Sequence, residues 1–537
     1  MRLHSSGERL RIKTKTITSA AIGYLLLPFI IFCIGWLKLY ISIPISILLL
    51  YFYYRIIRTS DSNENIKIDR KDFWIGISLI TIWVFLSGIG GFTFQNWDHH
   101  FRNALFRDLI NSPWPVYFSD TTVTQANNQD NPLFLIYYFG LWLPPAIIGK
   151  VFGYSIGQLF LFLYVLFGVG LTVILLKNKI NSSLWFAALL IIGFSGMDII
   201  GTILYKGATS SPYPSLWPPI SHLEWWAQIY QFSSFTTQLY WVFNQAIPIW
   251  ICVLLYLNFP SYNNILYLWS LTLFLAPIPS IGFVLFIVCD ILSNTFKYIW
   301  PSFFRKNTGV NSLKISLSET KTMFSSQNIL GGGIVLIISS LFFTANQTSS
   351  DFGFLNAADG IIFHYLLFLL IEGGILLALI FPLKKNDISW YVVGFSLIIS
   401  PLIFLGNGSN FSYRASIPAL IYLMVWAGEI IQNDRSLYRW IIVLIFLIGS
   451  FTPIYEINRS IYRTFDYIIN RSQYVLLPEP SPYEALDIPA RPEYVHPHSI
   501  VADDLISIEY TRDEFKDNYL SKINGTPLEL ILKIKDK

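Results

Sequence analysis

Blocks of apolar residues separated by short polar runs repeat along almost the whole chain. Each block is about 17 to 25 residues long, the length a helix needs to cross a ~30 Å hydrocarbon layer. The pattern predicts spans at 17–36, 39–57, 73–94, 154–176, 183–203, 241–258, 264–278, 279–297, 329–345, 361–383, 388–405, 416–432 and 438–455. A further apolar stretch, 132–150, contains Pro144-Pro145, a pair that removes backbone donors and breaks helices. Counting it as a span would move Lys177 and Lys179 to the side opposite the basic N-terminus. It reads instead as a re-entrant or interfacial segment, tolerated at depth where protein or a cavity surrounds it.

The expectation is therefore an all-α polytopic membrane protein of about thirteen spans, 1–455, followed by a small extracytoplasmic tail, 456–537. Charge supports the arrangement. Arg2, Arg9, Arg11, Lys13 and Lys15 precede span one, and Arg58, Lys67, Arg70 and Lys71 follow span two. With the N-terminus cytoplasmic and the C-terminus outside, Lys and Arg gather on the inner segments, as the positive-inside rule requires. The loop 298–328, with Arg305, Lys306, Lys314 and Lys321, is then a basic inner connector. A plasma (inner) membrane location follows. Composition excludes a soluble enzyme: 53% of residues are hydrophobic, 13% are charged and mean hydropathy is +0.51, against about 25% charged in soluble domains. The three cysteines, Cys33, Cys252 and Cys289, all lie within apolar blocks, which excludes a disulfide framework or a zinc-ligand spacing in the loops. The first apolar block is too long for a cleavable leader and reads as a retained span.

This topology places loops 95–131, 201–240, 346–360 and 406–416 on one outer face, together with the tail. In the first of them Trp97, Phe101, Leu105 and Leu109 recur every four residues, while His100, Asn103 and Arg107 occupy another face. The pattern predicts an amphipathic helix on the membrane surface. Asp98 sits in its first turn, where the positive end of the helix dipole favours a carboxylate. It either caps the helix and pairs with Arg102, or acts as a general base. His99 and His100 are either solvated or ligands for phosphate or a metal. Asp198, at the outer end of span five, is a carboxylate among apolar neighbours, a position that calls for a partner or a function. The loop after it carries Trp217, His222, Glu224, Trp225 and Trp226, suited to a headgroup-level belt or to sugar stacking. Asn244-Gln245 is placed to face the same cavity. Glu372, in the middle of span ten, either lines a polar cavity or pairs within the bundle. Arg414 opens span twelve on the less basic side, where its guanidinium could fork onto a lipid phosphate or snorkel to headgroups.

Together these pieces resemble the GT-C superfamily of membrane glycosyltransferases. The carrying features are Asp98 with its helix, the Asn131-Pro132-Leu133-Phe134-Leu135-Ile136-Tyr137-Tyr138 segment, the second acidic position Asp198, and Tyr413-Arg414 followed by Pro418. Protein mannosyltransferases and lipid A aminoarabinose transferases show similar segments, as do uncharacterised bacterial members. The chain departs from them in having more than one span before the acidic loop and histidines after Asp98. The resemblance implies inverting transfer of a sugar from a polyprenyl-phosphate carrier to an extracytoplasmic glycan, lipid or protein acceptor. Asp98 and Asp198 would be catalytic, and Arg414, Arg102, His99, His222 and Glu224 would bind donor phosphate or substrate. No cofactor, metal or nucleic-acid partner is expected. A lipid-linked glycan flippase, or an O-antigen polymerase or ligase, remains as an alternative.

Overall fold

The computed structural model describes residues 9–59, 64–118, 132–208, 219, 222–304, 322–346, 352–354, 362–405, 410–470, 507–510 and 517–533. The stretch 305–321 with Arg305, Lys306, Lys314 and Lys321, most of loop 346–360, Trp217 and the tail stretch 471–506 lie outside the described residues.

Helices dominate, and the few strands are short. Helix α1 (Thr14–Trp36) shows the axis of the bundle. Its start adjoins an antiparallel pair, β1 (Arg9–Lys13) and β2 (Asn65–Asp69), tied by Arg9 Nε to Asp69 Oδ1 at 3.0 Å. Its end lies about 35 Å away at 1.5 Å per residue. There Lys533 N–H donates to Trp36 O at 2.7 Å and Lys38 N–H to Ile531 O at 3.0 Å. Residues 531–533 thus pack at the turn between α1 and α2 (Leu39–Thr59).

Among the described residues eight helices are long and apolar enough to cross a membrane: Thr14–Trp36, Leu39–Thr59, Tyr154–Ile180, Leu184–Tyr205, Phe235–Asn258, Gln327–Thr344, Ile362–Lys384 and Leu437–Asp466. Shorter apolar helices at Ile265–Leu275, Pro277–Ser293, Ile388–Leu402 and Ile417–Asn433 fall on four more expected spans. Exposed side chains such as Ile43, Ile47, Leu366, Phe395 and Leu444 form apolar outer faces that suit lipid and not water.

Four expected segments differ in shape. Span 73–94 is a shorter helix, α3 (Arg70–Phe85), because the chain then turns through Gly88, Gly90 and Gly91 at φ near +80°, a region that favours glycine. A Cβ on Gly88 would also meet Phe94 O at 2.4 Å. The loop that follows forms α4 (Trp97–Asn111). This helix is not a surface helix with a wet face: Phe101 to Ile110 are all buried. Its polar face is covered because Asn103 pairs with Gln95 at 2.9 Å and Gln158 at 3.2 Å, and Arg107 lies over the Tyr154 ring at 4.6 Å.

The stretch 132–150 begins and ends at the same end of the bundle. Strand β4 (Leu133–Leu135) pairs with β3 (Tyr117–Phe118) and with β7 (Leu520–Lys522) from the tail. The chain then dips, packing Phe139 on Trp36 at 4.9 Å, and returns through α5 (Leu143–Phe152). Pro144-Pro145 opens α5 instead of breaking it, since first-turn amides have no helical partner to lose. Lys150 Nζ reaches Ile110 O at 3.2 Å, next to Trp114, which packs on Trp36 at 5.0 Å. Helix α6 (Tyr154–Ile180) runs back down the bundle. The expected span 183–203 is divided into α7 (Leu184–Gly193) and α8 (Asp198–Ala208). The tail boundary at 455 falls inside a helix, α18 when the helices are counted through α9 (Phe235–Asn258), α10 (Ile265–Leu275), α11 (Pro277–Phe304), α12 (Gln327–Thr344), α13 (Ile362–Lys384), α14 (Ile388–Ile399), α15 (Ser412–Ala415), α16 (Ile417–Asn433) and α17 (Leu437–Gly449). Helix α18 spans Phe451–Asn470 and turns Thr452, Glu456, Arg459 and Ser460 inward, with Phe451, Ile454, Phe465 and Ile468 outward.

Candidate functional site

The site is built where the first turn of α4 meets a break in α9. Asn96, not Asp98, caps α4, its side chain accepting from Asp98 N–H at 3.1 Å. Helix α9 is not one rod. Val242 leaves the helical region (φ −138°, ψ 35°), and the chain folds back on itself. Trp250 Nε1 therefore donates to Gln238 Oε1 at 2.9 Å across twelve residues, a separation that a straight helix would stretch to about 18 Å.

The break leaves carbonyls at the end of the first arm without helical partners, at the negative end of its dipole. The polar side chains of α4 supply what is missing. Asn96 Nδ2 donates to Tyr240 O at 2.8 Å, His99 Nε2 lies 3.2 Å from the same oxygen, and Arg102 donates to Trp241 O. Arg102 also holds Asp98 through Nη2–Oδ2 at 2.9 Å, the i,i+4 pair legible in the sequence.

Asp98 opens onto a cavity of about 210 Å³ walled by His222, Trp225, Gln231, Ser233, Thr237, Trp241, Val242 and Tyr413. Tyr413 belongs to α15, tethered to the second loop by Ser412 Oγ donating to Gln231 O at 3.2 Å. Arg414 sits behind it, with its guanidinium 4.6 Å from the Tyr413 ring and Nη1 on Asn410 at 3.1 and 3.2 Å. Burial opposes its charge, but the phenols of Tyr413, Tyr138 and Tyr137 and the Asp98 carboxylate hold its pKa above the ordinary arginine value. Arg414 Nε and Arg102 Nη1 are buried without a hydrogen-bond partner among the described residues. An aromatic group stands beside these charges: Tyr137 packs on Tyr138 at 3.8 Å and on Tyr519 of the tail at 4.4 Å.

On the opposite wall His222 Nδ1 lies 2.7 Å from Glu456 Oε1, and Arg459 Nη2 donates to Glu456 Oε2 at 2.6 Å. All three are buried. The His222 ring rests against Trp241 at 4.4 Å and Trp225 at 4.8 Å, and Arg459 covers the other side of the group, 5.4 Å from the Trp241 ring. Glu456 and Arg459 carry no assignment from sequence, because 456 onwards reads there as tail. The signal lies in α18 itself, whose inward face at 452, 456, 459 and 460 is polar while its other face is apolar.

Asp98, His222 and the Tyr413-Arg414 pair thus converge. Three expected residues do not. His99 is no phosphate ligand: its ring is buried, stacked with Phe243 at 5.9 Å, and burial together with Arg102 pushes its pKa down to about 3. Glu224 is turned away from the cavity, accepting from Ser234 N–H at 2.9 Å and Gln231 Nε2 at 2.8 Å. Burial, with Asp198 nearby, pushes its carboxyl up to about 8. Asp198 is also absent from the cavity. It holds the α7–α8 break in place, accepting from Ser195 Oγ at 3.2 Å and Thr452 Oγ1 at 2.8 Å and facing Glu372. Glu372 in turn accepts from Trp226 Nε1 at 3.1 Å, so it pairs within the bundle. Asn244 and Gln245 are buried with no partner on either amide among the described residues, and neither lines the cavity. Among the described residues no group of three or more His, Cys, Asp or Glu is placed to hold a metal ion. No protein-family model, curated protein or solved structure matches the chain.

Proposed function

We propose that this chain is a thirteen-span membrane glycosyltransferase of GT-C type, with its N-terminus cytoplasmic and its cavity and tail on the outer side of the plasma (inner) membrane. Its donor is a polyprenyl-phosphate sugar and its acceptor a hydroxyl of a glycan, lipid or protein. The observation that carries the reading is one cavity lined by both Asp98 of α4 and Tyr413 of α15, with Arg414 directly behind the Tyr413 ring, although more than three hundred residues separate them.

A carboxylate flanked by guanidiniums fits this transfer. Asp98 accepts the acceptor's O–H and aims its oxygen at the anomeric carbon. The oxygen–carbon bond forms from the face opposite the phosphate, with inversion, as the hydroxyl proton passes to a base in the cavity. The carbon–oxygen bond to the lipid phosphate breaks, and the phosphate leaves with the electron pair. At the edge of a bilayer little water is present to stabilise that charge, so preorganised donors must. Arg414 and Arg102 each keep a buried N–H without a partner, which suits a visiting anion. Trp225 and Trp241 offer faces on which a sugar ring can stack.

The test uses the full chain in lipid nanodiscs with labelled polyprenyl-phosphate mannose, glucose and arabinose. Asp98→Asn abolishes transfer at temperatures where the variant, destabilised by the loss of the Arg102 counter-ion, is still folded, and Arg414→Gln slows it about 10²-fold or more, the size of one lost charge-stabilising donor. Undiminished transfer by Asp98→Asn removes the proposed role.

A further inference from the structure

Orienting a hydroxyl and taking its proton are different tasks, and Asp98 is poorly placed for the second. Its Oδ2 is held by Arg102, whose side chain is only 6% exposed. Protonating Asp98 would leave that guanidinium uncompensated in a buried place, a costly outcome. Across the cavity stands a group with the opposite logic. His222 places Nδ1 2.7 Å from Glu456 Oε1, so Nε2 is the ring nitrogen left for the cavity that the residue lines. A carboxylate on one imidazole nitrogen fixes the ring and supports the cation formed when the other nitrogen is protonated. Arg459 anchors that carboxylate from behind at 2.6 Å.

We propose that His222 Nε2 takes the acceptor's proton, with Glu456 and Arg459 as positioning residues, while Asp98 orients the hydroxyl. The inference rests on the glycosyl-transfer reading of the cavity. In balance, the O–H proton passes to His222 as the new glycosidic bond forms, the imidazolium sits between Glu456 and Asp98, and the electron pair of the broken bond leaves on the lipid phosphate. The imidazolium then releases the proton to water.

The charged groups facing His222 are Glu456 and Arg459 of α18 and Asp98 of α4. Burial and Arg459 hold its pKa below the ordinary 6.5, against the pull of Glu456 and Asp98. The imidazole is therefore neutral, and able to accept, at pH 7. Activity that needs it neutral is lost as pH falls through that lowered value.

Two readouts on the nanodisc-held full chain decide the matter. The first is the NMR titration of the imidazoles, seven in the chain, with His222 assigned by its loss in His222→Gln. Glu456→Gln lowers its midpoint and Glu456→Asp restores it in part; a midpoint indifferent to both overturns the proposal. The second is transfer from polyprenyl-phosphate mannose, glucose and arabinose against pH. His222→Gln slows transfer by about 10² to 10⁴-fold, the usual contribution of a general base, and the acid limb of the parent moves to lower pH in Glu456→Gln. Transfer whose acid limb ignores Glu456→Gln sinks the base role and leaves the glycosyl-transfer reading standing. Parent chain inert towards all three donors counts against that reading, while the titration still judges the pair.

Discussion

Replacing Glu456 by Leu isolates the energetics of the buried charges beneath the cavity. Glu456 is 1% exposed and the Arg459 side chain 7%. Their 2.6 Å contact means that neither charge relies on water. Removing the carboxylate leaves Arg459 buried without its counter-ion, and breaking such a pair from one side costs about 3–5 kcal/mol. That lowers the folded-to-unfolded ratio by about 100-fold to about 4,000-fold, at about 1.4 kcal/mol per decade. The double variant Glu456→Leu/Arg459→Met removes both charges and keeps apolar volume, so it should stand within about 1 kcal/mol of the parent, as apolar replacements of buried pairs commonly do. The assay is equilibrium unfolding in mixed micelles, run as a double-mutant cycle. The reasoning is refuted if Glu456→Leu alone costs under about 1 kcal/mol, or if the double variant is as unstable as the two single changes added together.

Two other perturbations test how the walls of the cavity are held. A Cβ on Gly282 of α11 would meet the Ala415 carbonyl oxygen at 2.1 Å, backbone that cannot swing aside. Gly282→Ala is expected to displace α15 with Tyr413 and Arg414, cost about 1–3 kcal/mol of overpacking, and slow transfer at least tenfold; normal transfer rates would contradict it. Asp108 of α4 accepts from Ile508 N–H of the tail at 2.8 Å, and burial pushes its carboxyl up to about 7. Between its ordinary 3.8 and about 7 the folded chain keeps a proton that the unfolded chain releases. This contribution to stability is therefore complete below pH 3.8 and fades as pH rises through about 7. Unfolding midpoints across that range should fall less in Asp108→Asn than in the parent, and equal slopes would refute the assignment.

Much of this architecture was legible because lipid imposes a length on apolar blocks. The separate treatment of 132–150 followed from Pro144-Pro145, although the prolines turned out to begin a helix. The Asp98–Arg102 pair was legible from i,i+4 spacing alone. The break at Val242 was not, since no proline or glycine marks it. It is stabilised by Asn96, His99 and Arg102 from a helix about 140 residues earlier, and local pattern carries no trace of such distant capping. His99 was misjudged for the same reason, its ring being claimed by a carbonyl that a straight α9 would have kept to itself. Glu224 and Asp198 were misjudged because a polar residue near a span end looks alike whether it faces a cavity or braces a neighbouring helix. Glu456 and Arg459 were missed because α18 inverts the soluble convention and puts its polar face inward.

The pairing of β4 with β7 has a consequence for how the protein is made. One partner strand precedes most of the apolar helices in the chain and the other follows all of those described, so Tyr519 comes to lie beside Tyr137 only once the second is made. Every described apolar helix can therefore enter the bilayer before this three-stranded sheet closes. A chain stopped just before Leu520 would carry all of these helices and lack the strand that completes the sheet, so insertion and closure are separable events.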